Sequence, residues 1–283
     1  MAIDTKIEWA DSTFNPWWGC TKISPACDNC YAAATAARWG KDVWGQGVER
    51  EKKIGTWNEM RKLNRATAQA IDDAVELHRP QPQMPRVFCA SMADVFDAEV
   101  AQAWREELWN LIDECGHLVF MLLTKRPGNI RRMLPDRWQE EGIPERVWIG
   151  TTVESDDYRW RIDELMRVPA AVRFLSVEPM LGPVNLASHL GLGPLPNGER
   201  AEHGGRGIHW VICGGESGRG SRPMELAWAR DLRDQCVASD TPFFFKQWGQ
   251  HDAQGKRVKS KHDAGRSLDG VIWNQLPAGL VRE

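Results

Sequence analysis

Residues 117–123 read HLVFMLL and residues 147–152 read VWIGTT. Neither run alternates polar and apolar residues, so both predict strands buried on two faces, as in parallel sheets. Four other runs share this character: 86–92 (RVFCASM), 172–178 (VRFLSVE), 208–213 (IHWVIC) and 242–246 (PFFFK).

Helical patterns alternate with these runs, which indicates repeated βα units. A further strand is expected within 6–14, and Asp156 and Glu225 are candidate helix starts. About six or seven parallel strands result. The sequence therefore predicts an α/β fold, a partial (β/α) barrel, with a doubly wound open sheet as the alternative. The predicted helices are 31–38, one near 56–78, 99–115, 156–167 and 225–238.

The composition excludes some classes of protein. The chain has 283 residues, 42% of them hydrophobic, which excludes disorder over its whole length. With 36 basic and 39 acidic residues, it has no global positive field that would attract nucleic acid. No apolar run is long enough to cross a bilayer, and the first residues, MAIDTKIEWADST, lack the apolar core of a signal peptide. We therefore expect one soluble cytoplasmic domain over 1–283, without membrane contact.

Three of the seven cysteines form a cluster in the sequence. Residues 14–31 read FNPWWGCTKISPACDNCY, which spaces Cys20, Cys27 and Cys30 as C-x6-C-x2-C on a loop. Three thiolates on an iron–sulfur cube leave one iron open to a small ligand. A zinc loop would need a fourth ligand from elsewhere, and a chance grouping is the third interpretation. The other four cysteines are expected to be buried, inert thiols: Cys89, Cys115, Cys213 and Cys236.

Charged residues follow every predicted strand from 86 onward. In parallel βα architectures, residues at these strand ends meet at one edge of the sheet. We therefore expect them to converge beside the cysteine loop. The converging residues are Asp94, Lys125, Glu154, Glu178, Glu216 and Lys246.

Three other segments carry separate expectations. The GGESG motif at 214–218 predicts a close backbone approach to a ligand, with Gly215 and Gly218 leaving room. Residues 187–207 are rich in Gly and Pro and predict an irregular surface insertion. Residues 250–283 form a polar C-terminal segment that is locally basic between 256 and 266, which predicts solvated surface or contacts to phosphate.

The cysteine loop, with an aromatic residue after its last cysteine, resembles the radical S-adenosylmethionine (radical SAM) superfamily, although C-x3-C-x2-C is the more common spacing there. Over residues 14–277 the chain also resembles a phage-encoded three-Cys-motif family of unknown function. The matching stretches are FNPWWGCTKISPACDNCYA, TTVES, FLSVEPMLGP, ICGGESG, FFFKQWG and AGRSLDGVIWNQLP.

The resemblance implies a [4Fe–4S] cluster on Cys20, Cys27 and Cys30, with S-adenosylmethionine as second cofactor and a radical SAM-like barrel. It implies that a 5′-deoxyadenosyl radical abstracts hydrogen from substrate, in the host cytoplasm if the chain is phage-encoded. The predicted catalytic residues are Lys125, Glu178, Glu216 and Lys246. The predicted cofactor contacts are Tyr31, Ser91, Asp94, Thr152 and Glu154.

The substrate is not identified by these residues. A nucleotide or nucleic acid is preferred by analogy, and a partner protein that presents the substrate stays open. Two other functions compete with the radical enzyme. One is a metal-dependent hydrolase or nuclease with a structural zinc loop, whose carboxylates would include Asp97. The other is a non-catalytic nucleic-acid-binding protein that uses its basic segment.

Overall fold

The computed structural model describes residues 5–190 and 207–277, together with the backbone of residues 2–3. Ten strands lie in these ranges: β1 (Ala2–Ile3), β2 (Ser12–Phe14), β3 (Trp17–Trp18), β4 (Glu51–Lys52), β5 (Arg86–Cys89), β6 (Val119–Thr124), β7 (Val147–Thr152), β8 (Arg173–Val177), β9 (Trp210–Gly214) and β10 (Phe243–Gln247).

The helices of the described ranges alternate with the later strands. They are α1 (Tyr31–Arg38), α2 (Gly55–Glu76), α3 (Gln102–Glu114), α4 (Ile130–Met133), α5 (Asp136–Glu140), α6 (Trp160–Met166), α7 (Leu226–Ala238) and α8 (Lys261–Ala264), with 3-10 turns at Pro25–Cys27, Pro127–Asn129 and Asp156–Tyr158.

The main sheet is a curled half-barrel of seven parallel strands with flanking helices. Its order is β1-β2-β5-β6-β7-β8-β9-β10, in which only β1 is antiparallel, and β3 and β4 form a separate pair. The parallel strands follow one another in chain order, whereas a doubly wound sheet reverses its order at a switch point. The prediction of a partial (β/α) barrel is thus confirmed, and the doubly wound alternative is not observed.

Alternating side chains divide the two faces of the half-barrel. One face packs against the helices in the larger core, as Phe120 of β6 and Leu108 of α3 do. The other face carries a cluster of large aromatic rings that includes Trp9, whose ring centroid lies 4.7 Å from that of Phe88. Aromatic pairs at such distances contribute beyond their buried area. The aromatic rings on this second face are Phe88, Trp148, Phe174, Trp210 and Phe244.

The strand predicted within 6–14 is observed at Ser12–Phe14. The residues before it turn, and Trp9 lies in the aromatic cluster. The helix predicted from 156 begins as a 3-10 turn, and Asp156 Oδ1 accepts a hydrogen bond from the Asn185 backbone instead of capping it. Residues 191–206 of the predicted insertion and residues 278–283 of the C-terminal segment lie outside the described ranges.

The four isolated cysteines are buried, as predicted. Burial raises the pKa of Cys115 to about 11 and that of Cys236 to about 12, and also raises those of Cys89 and Cys213. Thiols of this kind stay protonated and unreactive at neutral pH.

None of the helices in the described ranges combines the length and apolar character needed to cross a bilayer.

Candidate functional site

A cavity of about 620 Å³ opens at the carboxyl ends of the parallel strands. Its size lies within the range of small-molecule sites. The cysteine loop and the strand ends both contribute to its wall. Every residue predicted for the radical SAM site, except Glu154, lines it: Cys20, Cys27, Cys30, Tyr31, Ser91, Asp94, Lys125, Thr152, Glu178, Glu216 and Lys246.

Gly19, just before the first cysteine, positions the cysteine loop at the cavity. Gly19 has φ +116°, and a Cβ there would lie 2.3 Å from the carbonyl oxygen of Val43. Its backbone N–H donates to the carbonyl of Met92 across 3.1 Å, just beyond β5. Because no other residue fits this position without strain, glycine fixes where the loop meets the sheet.

Arg126, which follows β6, contacts the first cysteine of the loop. Its Nη1 lies 3.4 Å from Cys20 Sγ and 2.9 Å from Asp94 Oδ2, and its Nη2 donates to the carbonyl of Thr21 at 2.7 Å. Burial raises the pKa of Cys20 to about 12, an effect that Asp94 strengthens and Arg126 opposes. A metal would have to displace this proton on binding.

Arg50 also contacts this loop, through Thr21. It was not among the residues predicted from the sequence. This side chain is 1% exposed and donates from Nη2 to Thr21 Oγ1 at 2.7 Å and to Asp97 at 2.8 Å. Its Nη1 donates to the carbonyls of Gly45 and Val48. A buried, fully bonded guanidinium of this kind fixes backbone position.

Tyr31 and Ser91 form the wall next to the last cysteine. Tyr31 begins α1, and its hydroxyl donates to the carbonyl of Ser91 at 2.7 Å. Asn15 Nδ2 donates to Ser91 Oγ at 3.1 Å, while Asn15 Oδ1 accepts from the backbone of Met92. These contacts tie the start of α1 and the end of β2 to the segment after β5.

Glu216 joins the GGESG loop to the cysteine loop. Its carboxylate accepts hydrogen bonds from Arg222 Nε at 2.9 Å and Nη2 at 2.6 Å, and from Asn29 Nδ2 at 3.0 Å. Burial alone would raise the pKa of Glu216, but the hydrogen bonds from Arg222 and Asn29 lower it below its usual value. With its oxygens engaged in this way, Glu216 is suited to holding the two loops together.

Glu178 and Lys246 form an ion pair in the cavity wall, with Nζ 2.6 Å from Oε1. Both side chains keep some exposure, 18% and 14%, so a ligand can reach them. A Cβ at Gly214 would lie 3.2 Å from the Glu178 carboxyl carbon, which shows how closely the carboxylate approaches β9. Thr152 and Ser176, register partners on β7 and β8, complete this part of the wall.

Glu154 is not brought to the cavity. Strand β7 ends at Thr152, so the alternation that would point residue 154 inward does not continue. The Glu154 carboxylate instead lies 2.7 Å from Arg161, and both side chains are 1% exposed. We therefore do not retain Glu154 as a ligand contact.

Of the two GGESG glycines predicted to leave room for a ligand, one lies against another backbone segment. A Cβ at Gly215 would lie 2.0 Å from the carbonyl oxygen of Trp248, so this glycine permits two strand ends to meet. At Gly218, with φ +106°, nothing lies within 4 Å of that position. The close approach predicted from the motif therefore occurs at Gly215, with protein backbone as the neighbour.

Each acidic residue that the hydrolase alternative requires has a cationic partner. The pairs are Asp94–Arg126, Asp97–Arg50, Glu154–Arg161, Glu178–Lys246 and Glu216–Arg222. In the described ranges, no three His, Cys, Asp or Glu side chains lie close enough to share one metal ion.

The three cysteines of the loop share one space. Iron–sulfur clusters are held in proteins by cysteine thiolates. Cys20, Cys27 and Cys30 all line the same cavity, and Arg126 supplies a positive charge beside one of them.

Comparison with known proteins identifies a family. No curated protein and no solved structure matches the chain. A family model described as "Protein of unknown function (DUF5131)" matches residues 4–277. Since this match covers nearly the whole sequence, the chain belongs to the DUF5131 family.

Proposed function

We propose that this protein is a cytoplasmic iron–sulfur enzyme of the radical SAM type. The observation that carries the proposal is that three cysteines and the polar ends of the parallel strands line one cavity. Cys20, Cys27 and Cys30 would hold the [4Fe–4S] cluster. When bound, the cluster and S-adenosylmethionine would together supply radical hydrogen-abstraction chemistry.

The residues around the cluster loop position it. Arg126 donates to Cys20 Sγ, and the buried Asp94 that accepts from Arg126 also accepts from Thr124 Oγ1 at 2.7 Å. Asp94 thus acts through Arg126, since both of its oxygens are engaged by protein donors. Ser91 and Thr152 offer hydroxyls to the ribose or amino group of S-adenosylmethionine, and Tyr31 closes the wall beside them.

Glu178 and Lys246 are the residues proposed to meet the substrate. They are paired at 2.6 Å, face the cavity and retain partial exposure. A carboxylate and an ammonium held so closely can exchange hydrogen-bond partners with a polar substrate and orient it. Lys125 lies in the same wall without an anionic partner among the described residues, so it can bind a negatively charged group.

The experiment is anaerobic reconstitution with iron and sulfide. Wild-type protein is expected to hold about four iron atoms per chain and to become brown. S-adenosylmethionine is expected to alter the electron paramagnetic resonance of the reduced protein. Replacing Cys20, Cys27 and Cys30 together by Ser should abolish iron binding, whereas the control C236A should keep it. A colourless protein with one zinc per chain would overturn the proposal.

A further inference from the structure

The cavity wall is positively charged although the chain has a net charge of −3. Among the residues that the structure describes, its lining contains six cationic and three acidic side chains. The cationic residues are Lys6, Lys22, Lys125, Arg126, Lys246 and Lys261, and the acidic ones are Asp94, Glu178 and Glu216. A concave site with this excess concentrates anionic ligands.

All three acidic residues of the wall are neutralised. Asp94 pairs with Arg126, Glu178 with Lys246, and Glu216 with Arg222. Two lysines of the wall, Lys6 and Lys125, have no ion pair within the described ranges. The positive charge of these two lysines is therefore available to a ligand.

A hairpin at the cavity rim extends this positive surface outward. The hairpin comprises residues 250–258, with a bridge between His251 and Arg257. It is fixed to the rim because the backbone N–H of Gln250 donates to the carbonyl of Glu216 at 3.0 Å. Arg257 adds two bonds, to Ser221 Oγ at 3.1 Å and to the carbonyl of Gly218 at 3.0 Å.

Two exposed cations, one on this hairpin and one just after it, are unpaired. Lys256 and Lys259 are exposed and form no ion pair with any described residue. The nearby carboxylates are occupied by local turns, since Asp252 accepts from the backbone of Lys256 and Asp263 caps α8 through Ser260. From here the chain reaches Lys261, which lines the cavity and whose Nζ lies 3.6 Å from Glu8.

We propose that the rim hairpin and cavity bind a single-stranded nucleic acid as the substrate of the proposed enzyme. Lys256, Lys259 and Lys261 contact consecutive phosphates, and one nucleotide enters the cavity toward Lys125. The reaction on the strand rests on the proposed function. The binding of the strand rests only on the charge distribution of the cavity and rim.

The position of the lysines favours a strand over a free nucleotide. A free nucleotide would be held within the cavity, where Lys256 on the hairpin and Lys259 just after it could not contribute. A duplex does not fit a cavity of about 620 Å³, so a reacting base must first leave its stack. DNA and RNA share the phosphodiester chemistry that these lysines recognise, and both strands belong in the test.

The test is fluorescence anisotropy of labelled single-stranded DNA and RNA of about 20 nucleotides, long enough to exceed a typical single-strand site. Binding by the full-length protein is measured over a range of KCl concentrations. The variant K256A/K259A removes two charges from the rim. Its matched control is K62A/R65A, which removes two charges from exposed positions on α2, away from the cavity lining.

Loss of two phosphate contacts should reduce the slope of log affinity against log salt by about 1.4 for single strands. The control should keep the wild-type slope, and a duplex of the same sequence should bind more weakly. Equal slopes for the two variants, or equal affinity for duplex and single strand, would overturn the inference. The effect of S-adenosylmethionine on the reconstituted K256A/K259A protein is measured separately, so failure of the radical chemistry and failure of strand binding are distinguished.

Discussion

Arg126 donates a hydrogen bond from Nη1 to Cys20 Sγ across 3.4 Å, although the two residues are 106 positions apart in sequence. The same guanidinium pairs with Asp94 at 2.9 Å and with the carbonyl of Thr21. One side chain after β6 therefore contributes both to the position and to the electrostatic surroundings of the first loop cysteine. Charge and hydrogen bonds at ligand sulfurs are among the factors that set the potential of an iron–sulfur centre.

Replacing Arg126 by Met should lower the reduction potential of the reconstituted protein. Loss of a positive charge and of a hydrogen bond to sulfur disfavours the more negative, reduced state. The potential is measured by an electron paramagnetic resonance titration. R126K, which keeps the charge, should recover part of the shift, and R131M on α4 should leave the potential unchanged. A potential in R126M equal to that of wild type would contradict this role.

Breaking the Glu154–Arg161 pair should strongly destabilise the fold without removing a ligand contact. Both side chains are 1% exposed, so R161M leaves an uncompensated buried carboxylate at a cost of about 3–5 kcal/mol in the free energy of unfolding. Urea unfolding measures this change.

The double variant E154M/R161M tests whether the loss arises from the unpaired charge. It should recover most of the stability and, when reconstituted, should respond to S-adenosylmethionine as wild type does. A single variant R161M within about 1 kcal/mol of wild type would show that the pair is not buried as described.

Gly215→Ala should disrupt the junction of β9 and β10. The added methyl group would lie 2.0 Å from the carbonyl oxygen of Trp248, a backbone atom that cannot move aside. We expect a loss of about 3 kcal/mol or more, typical of severe overpacking. The matched control is G55A at the start of α2, where nothing lies within 4 Å, and it should be neutral or slightly stabilising. Similar unfolding midpoints for G215A and wild type would rule out the close backbone approach.

Acid should weaken the hydrogen bonds of Glu216 that join the GGESG loop to the cysteine loop. The folded-state pKa of Glu216 is lowered by Arg222 and Asn29, so the carboxylate contributes stability above the unfolded pKa of about 4.3. This contribution is lost as the pH falls through the lower folded-state pKa. Unfolding of wild type and E216Q, measured from pH 7 to pH 3, should show a difference at neutral pH that narrows in acid. A difference independent of pH would mean that the Glu216 charge does not stabilise this contact between the loops.

Sequence alone placed much of the site. The apolar runs located the later parallel strands because a strand buried on both faces has almost no polar alternation. Strand-end positions then put Lys125, Thr152, Glu178 and Lys246 at one edge, and the cavity wall contains all four. The spacing of the three cysteines identified the loop that joins them there.

The tertiary structure decided the contacts across long separations. The bond from Asn29 to Glu216 joins residues 187 positions apart, and no local pattern encodes such a pair. Glu154 was expected to face the cavity, but β7 ends two residues before it. The Glu154 carboxylate instead forms a buried ion pair with Arg161. Periodicity and spacing are local properties of the chain. Which charges meet depends on how the half-barrel curls, and only the folded chain determines that.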